Sequence, residues 1–563
     1  MKLHALRFLF LPLLLTFVSL QCKPDDPVSE PDPIPNPTDT TKKVLNIISL
    51  TTAEGTNLLG SGRILDVARD FEVTARFNHP VDVSTITENS VRLARAGFSG
   101  NLDISFSDSN KTVVLRLNET LDHLQRYTLY FTSSVKGEDG GPFDGLQKQF
   151  YTELDPTPKQ PVISDEQLLS RVQEQTFKYF WDFGHPVSGL ARERNTSGEV
   201  VTIGGSGFGV MAILVGIERG FITRSQGIDR LTTIVDFLTA ADRFHGAWPH
   251  WMNGTTGKTI PFSADDNGAD LVETAFMIEG LLTVREYLDP GVSAENNLIA
   301  KIDSLWYDVE WDWFTKGGEN VLYWHWSPDK GWVMNHQIRG WNEALIVYFL
   351  AAASPTHPIN ASVYHNGWAS SGGMQNGNDY YNITLPLGSP RGGPLFFAHY
   401  SFLGLNPTNL TDQYANYWDQ NRAHSLINQA YCVANPQNYV GYSADCWGLT
   451  ASDGNSGYSA HSPGNDRGVI TPTAALSSFP YTPDESMDAL KFFYYTIGDR
   501  TWGSYGFYDA FNLTEGWFAN SYLAIDQGPI IIMIENHRTG LLWNNFMNAP
   551  EVAVAMTKLG FTN

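Results

Sequence analysis

The 563-residue chain carries a formal charge of −23, which disfavours nucleic acid or an anionic membrane surface as its main partner because polyanions are repelled. A neutral partner suits it better. Its length predicts about two to four domains, and all sixteen tryptophans lie at or beyond Trp181, so the aromatic excess and the working part belong to the C-terminal portion.

The chain opens with Lys2 and Arg7, an apolar run from Phe8 to Leu20, and Cys22, the layout of a secretory signal too short to be a transmembrane helix. Residues 1–21 are read as a signal peptide. Residues 22–43, rich in Pro and Asp, cannot build a core and are expected to form an extended tether. This start resembles that of a bacterial lipoprotein, with Cys22 the lipidated residue, although Ser19-Leu20-Gln21 matches the usual tripeptide before the cysteine only loosely. Plain cleavage and secretion is the alternative. The expected location is the periplasm or outer membrane, with surface exposure also open, and the only membrane contact is through the lipid. In that oxidising setting Cys432 and Cys446 form either a disulfide or two buried thiols.

From 44 to 154 apolar residues alternate in short runs: Phe71, Val73, Ala75 and Phe77; Leu102, Ile104 and Phe106; Val113, Leu115 and Leu117; Tyr127, Leu129 and Phe131. Period two between Gly, Asn and Asp clusters predicts an antiparallel β-sandwich. "FNHPVDVSTITENSVRL" and "SNKTVVLRLNETLDHLQRYTLYFT" resemble bacterial Ig-like domains, which implies a spacer or rigid support. "DPTPKQP", 155–161, has the composition of a linker.

Beyond it the pattern turns helical over 162–563. Ser164 with Gln167 and Thr223 with Gln226 fit capping boxes, and Pro483 follows Thr482 at a first helical position. Periodic segments near 166–183, 206–219, 224–242, 267–287, 294–314, 340–354, 394–403, 411–434, 471–479, 484–498, 526–539 and 549–560 predict about twelve helices. That count suggests an all-α (α/α)6 barrel. A superhelical repeat would give a similar count, but no fixed-period self-similarity accompanies it.

"SADDNGADLVETAFMIEGLL" places Asp266, Asp270 and Glu273 at i, i+4 and i+7. At roughly 100° per residue the three fall within about 60° on one helix face. Like charges so placed repel. Acids near an N-terminus can simply complement the helix dipole and face water, but this stripe continues as Met277, Gly280 and Leu281 into packed structure. Clustered carboxyls whose pKa values are pushed apart are what glycosidic hydrolysis needs, one to protonate the leaving oxygen and one to activate water or attack. Glu343 in "GWNEALIVYF", expected in the first turns of an otherwise apolar helix, is the best partner.

Trp248, Trp251, Trp324, Trp326 and Trp341 lie in predicted loops or helix starts, where aromatic faces can stack on sugar C–H groups. About half of them are expected to be core instead. "IGGSGFG" from Ile203 lacks the lysine of a P-loop and the spacing of a dinucleotide loop, and reads as close packing at a helix start. The long polar stretch 448–475 is expected to be an active-site loop, with Asp453, Tyr458, His461 and Asp466 as its chemical candidates. No zinc-protease, nucleophile-elbow or EF-hand motif occurs. No metal or other cofactor is expected.

"FKYFWDFGHPVSGLARER", "TIGGSGFGVMAILVGIERG", "SADDNGADLVETAFMIEGLL", "RGWNEALIVYFLAAASP" and "GLTASDGNSGY" with "GVITPTAA" together resemble the bacterial glucoamylase-like domain, over essentially all of 160–563. Within it the chain is similar to glycoside hydrolase family 144, whose members are β-1,2-glucanases of (α/α)6 fold. The resemblance implies that Asp266, Asp270, Glu273 and Glu343 line a catalytic pocket. It also implies inverting hydrolysis of β-1,2-glucan to sophorose or short sophoro-oligosaccharides, by endo or exo action. Glu343 is then the general acid, and the other three activate water or bind the −1 sugar. An α-glucan exo-hydrolase, a polysaccharide lyase and a non-catalytic surface glycan-binding lipoprotein are the competing readings. The −23 charge speaks against the uronate substrate of a lyase.

Overall fold

The computed structural model describes residues 42–563. The expected signal peptide and Cys22 lie outside the described residues. The first part is a sandwich of two four-stranded antiparallel sheets. One has the order β1 (Ile47–Thr52), β2 (Glu72–Phe77), β6 (Thr112–Leu117), β5 (Leu102–Ser107), and the other β4 (Phe98–Gly100), β3 (Val91–Arg95), β7 (Arg126–Phe131), β8 (Leu146–Tyr151). The alternation explains the core: Val73 and Ala75 face Leu115 and Val113 across the β2–β6 ladder and are buried, like Phe77 of the same strand, with Tyr127, Leu129 and Phe131. Phe106 departs from the expected pattern. It sits on edge strand β5 and is exposed, because no strand covers that side.

Among the described residues the α-helices of five residues or more are α1 (Asp165–Trp181), α2 (Ile203–Glu218), α3 (Arg224–Ala240), α4 (Leu271–Tyr287), α5 (Ser293–Tyr307), α6 (Leu345–Ala353), α7 (Tyr417–Ala434), α8 (Pro472–Leu476), α9 (Pro483–Lys491), α10 (Ala524–Arg538), α11 (Leu541–Asn548) and α12 (Pro550–Leu559). Both capping boxes form, at Ser164/Gln167 and Thr223/Gln226. Buried residues ring α2, α4, α6, α8 and α10 on all sides, as expected of helices surrounded by other helices. In this inner ring α10 packs on α2, α2 on α4 and α4 on α6. Two 3-10 turns, Leu395–Ala398 and Tyr400–Phe402, take the place where a helix was expected over 394–403. His399, between the two turns, meets Ser478, just past α8, with Nε2 and Oγ 3.0 Å apart. The outer layer includes α1, α3 and α5, and the whole is an (α/α)6 barrel. α11 was not expected from the sequence.

Sandwich and barrel touch directly. Tyr151 donates its hydroxyl hydrogen bond to the Thr514 carbonyl at 2.8 Å, and Arg126 pairs with Glu515 at 2.7 Å. Cys432 and Cys446 are buried free thiols, so the disulfide alternative does not hold. Among the described residues no helix is long and apolar enough to cross a membrane.

Candidate active site

The N-terminal ends of α2, α4, α6 and α10 open on one cavity of about 410 Å³, lined among others by Glu193, Arg194, His250, Glu273, Glu343 and Tyr400. The acids reach this end differently from the expected helical stripe. Helix α4 begins at Leu271, and Asp270 is its N-cap, accepting from the backbone N–H groups of Val272 and Glu273 at 3.0 Å each. A carboxylate that satisfies these orphan donors starts a helix rather than continuing one. Asp270 also belongs to a two-residue strand, Ala269–Asp270, paired with His325–Trp326. Asp266 precedes it in a loop, so only Glu273 of the three is helical. Glu343 likewise falls just before α6 instead of in its first turns, since Ala344 is the N-cap.

The three acids still converge, around two histidines. His250 Nδ1 lies 2.9 Å from Asp270 Oδ2, and His325 Nε2 lies 3.5 Å from Asp266 and 3.7 Å from Asp270. Trp324 donates its indole N–H to Asp270 Oδ1 at 2.9 Å. Burial opposes ionisation of Asp270, yet the His250 hydrogen bond, the two histidines and its backbone donors hold it below the usual carboxylate range. Burial also opposes charge on His250, but Glu273, Asp270 and Asp266 outweigh it and lift the imidazole to about 9. Burial and then Asp270 push Asp266 up to about 7.

Glu273 is raised by burial and by Asp270, against the pull of His250 and of the Gly204 N–H, which reaches its Oε2 at 2.7 Å. The glycine is required there: a Cβ on Gly204 would stand 2.6 Å from that oxygen. Close packing is thus the role of "IGGSGFG" at this point. Glu343 makes no ion pair among the described residues. Burial, with Glu273 and Asp270 adding to it, pushes its carboxyl up to about 7. Glu273 and Glu343 are the carboxyls of the four that face the cavity.

His250, Asp266 and Asp270 each bring one ligating atom within 4.8 Å of the others. Within this trio Asp270 accepts from four donors: His250, the Trp324 indole and the N–H groups of Val272 and Glu273.

The aromatic expectations divide. Trp251, Trp324 and Tyr458 line the cavity. Trp248 is fully buried, its N–H given to the Leu238 carbonyl, and Trp341 is buried among Trp368, Phe402 and Tyr417; both are core. Trp326 is half-buried and turned away from the cavity, toward His245 and Trp313. In the loop, His461 is wholly buried and Asp466 ties down Tyr431 and Tyr442. Asp453 stands behind the cavity, gripping Arg194 at 3.1 Å and accepting from Ser521 at 2.6 Å. Sequence reasoning missed His250, His325, Arg194 and Tyr400, and also the buried pair Asp509 and Asp526. Burial lifts Asp509 to about 7 and Asp526 well above the carboxylate range. A lone histidine or tyrosine carries no local signal, and these groups acquire partners only through tertiary contact.

Comparison with known proteins follows the same division of the chain. The Glycoamylase family model, described as "Putative glucoamylase", matches residues 335–550, and a bacterial Ig-like domain model matches 43–152. A crystal structure of the same glucoamylase description from Bacteroides uniformis is 61% identical and covers 72% of this chain and 99% of its own, with a TM-score of 0.71. The endo-β-1,2-glucanase of Chitinophaga pinensis, solved with sophorotriose and glucose, is 55% identical over 71% of this chain and 99% of its own, with a TM-score of 0.70. A curated protein of Parabacteroides distasonis, an exo β-1,2-glucooligosaccharide sophorohydrolase acting at the non-reducing end, is 49% identical over 420 residues. That match spans 70% of this chain and 58% of the relative's length.

Proposed function

Because the chain belongs to glycoside hydrolase family 144, the glucoamylase-like family of bacterial β-1,2-glucanases, we propose that it hydrolyses β-1,2-glucan to sophorose or short sophoro-oligosaccharides. The observation that carries this reading is the pair Glu343 and Glu273 at one cavity, the first without an ion-pair partner among the described residues and the second held by a backbone N–H. Glu343 gives its proton to the leaving glycosidic oxygen, directly or through a substrate hydroxyl. Glu273, with Oε2 pinned, takes a proton from the attacking water as the new bond forms at the anomeric carbon and the old C–O bond breaks. Inversion follows if the carboxyls stand roughly 6.5–9.5 Å apart across the substrate. Asp270 accepts from four donors, so its part is to orient His250 and Trp324, while Asp266, set back from the cavity, contacts His325. Trp251, Trp324 and Tyr458 offer faces to the sugar rings.

Thin-layer analysis tests this: sophoro-oligosaccharides from linear β-1,2-glucan are expected, and glucose from maltodextrin with none of them would replace the proposal by an α-glucan hydrolase. Early products of mixed length would mark endo action, and sophorose alone exo action. We also propose export as a lipoprotein, supported by the sequence from Lys2 to Cys22. Radiolabelled palmitate incorporated by the full chain and lost in Cys22→Ala is the expected result.

A further inference from the structure

A second cleft, of about 900 Å³, lies outside the catalytic cavity and shares no lining residue with it. Its wall is the 3-10 turn Trp311–Thr315, which ends on Lys316 in the left-handed conformation (φ 53°), followed by Gly317 and Gly318 at φ 87° and 99°. Nothing stands within 4 Å of where a Cβ on either glycine would be, so the backbone there is bare. Trp313 is 40% exposed, an unusual state for an indole. It is nevertheless fixed in place. Its ring stacks on His245 at 3.8 Å and 13°, and it meets Trp332 at 6.4 Å and 31°.

Three carboxylates rim the cleft, and each is positioned by a hydrogen-bonded contact through one oxygen. Glu310 is held by His245, Asp312 by His357 and Glu319 by the Tyr323 hydroxyl, at 2.8, 3.1 and 2.8 Å. The second oxygen of each remains to accept from a ligand. A fixed indole face beside carboxylate acceptors suits the C–H face and the hydroxyls of a sugar. Three acids against Lys316, on a chain of charge −23, exclude an anionic ligand. A run of side-chain contacts links the cleft wall to the histidine–carboxylate network of the active site. Trp313 meets Trp326 at 6.4 Å, and Trp326 follows His325, which contacts Asp266 and Asp270.

We propose that the Trp313–Trp332 cleft is a second binding site for a neutral glucan, holding a stretch of the polymer beside the catalytic cavity. It rests on the β-1,2-glucan reading for the linkage it would meet. Such a site raises the effective concentration of polymer at the cavity and contributes nothing to a ligand too short to reach both.

The test uses the full chain. Native electrophoresis in gels containing linear β-1,2-glucan, with Glu343→Gln blocking turnover, compares that background with Trp313→Ala added. Asn360→Arg, at an exposed rim position with no side-chain hydrogen bond, fills the cleft without disturbing the aromatic stack and guards against misfolding of the first variant. Both are expected to weaken retardation by about tenfold in apparent affinity. In the active background both should leave kcat/KM on sophorotetraose within about twofold while lowering it on polymer. Hydrolysis of the glucan with retardation untouched by either variant overturns the second site alone. A wild type that neither hydrolyses β-1,2-glucan nor is retarded by it overturns the catalytic reading and this one with it.

Discussion

The sandwich and the barrel treat buried charge in opposite ways. Among the described residues the sandwich buries no carboxylate; its buried polar groups are Thr52, Ser90, His123, Gln125, Thr128 and Thr152. The barrel buries Asp266, Asp270, Glu273, Glu279, Glu295, Glu343, Asp509, Asp526 and Glu535. Burial alone does not mark the site, because several of these are structural. Glu535 is paired with Arg219 and Glu295 with Arg224, while Glu279 accepts the backbone N–H groups of Gly404 and Leu405. What sets Glu343 apart is that it faces the cavity while buried without an ion-pair partner among the described residues; Glu279, Asp509 and Asp526 are buried without one but do not line it. One region therefore supplies packing and the other holds groups that packing alone would reject.

That contrast can be broken at several points. Phe71, buried in the sandwich and stacked on Phe150 at 5.5 Å, should cost about 3–5 kcal/mol when changed to alanine. Denaturant unfolding would show the loss, and kcat on β-1,2-glucan should stay within about twofold, since no sandwich residue lines the cavity. In the barrel the effects should reverse. Gly204→Ala drives a methyl against Glu273 and is expected to lower kcat by about 10²-fold, with KM less affected; unchanged kcat would remove Glu273 from the mechanism.

The pH profile sharpens the same point. Glu343 donates a proton, so its active form is the one lost as pH rises through about 7, and kcat should fall about tenfold per unit beyond that. A profile flat to pH 9 would contradict the assignment. The smallest effect is expected where the two regions meet. Arg126 and Glu515 are both partly exposed, so Arg126→Ala should shift stability by less than about 1 kcal/mol, measured by thermal unfolding.

Local chemistry made part of this legible in the sequence. The capping boxes at Ser164 and Thr223 and the alternation around Val73 and Leu115 are short-range patterns, and the structure forms them as read. The start of α4 was misplaced because the pairing of Ala269–Asp270 with His325–Trp326 joins segments more than fifty residues apart, and it is this pairing that ends the loop at Asp270. The acids themselves were legible because three of them recur within eight positions, a pattern with an energetic cost that asks for a reason. Their partners were not, since neither His250 nor His325 has a neighbour in sequence that predicts a carboxylate. Tryptophans divide for a similar reason: Trp248 and Trp324 look alike in the chain, and only the packing around each decides which one faces a cavity.

The central claim is that Glu343, buried at the cavity without an ion-pair partner among the described residues, supplies the proton for glycosidic cleavage. Its most direct test is kcat of Glu343→Gln on linear β-1,2-glucan, measured beside thermal unfolding. The account predicts a fall of about 10³-fold or more with the melting temperature held or raised, because the amide keeps the shape and removes the buried acid. Activity within about tenfold of wild type would contradict it.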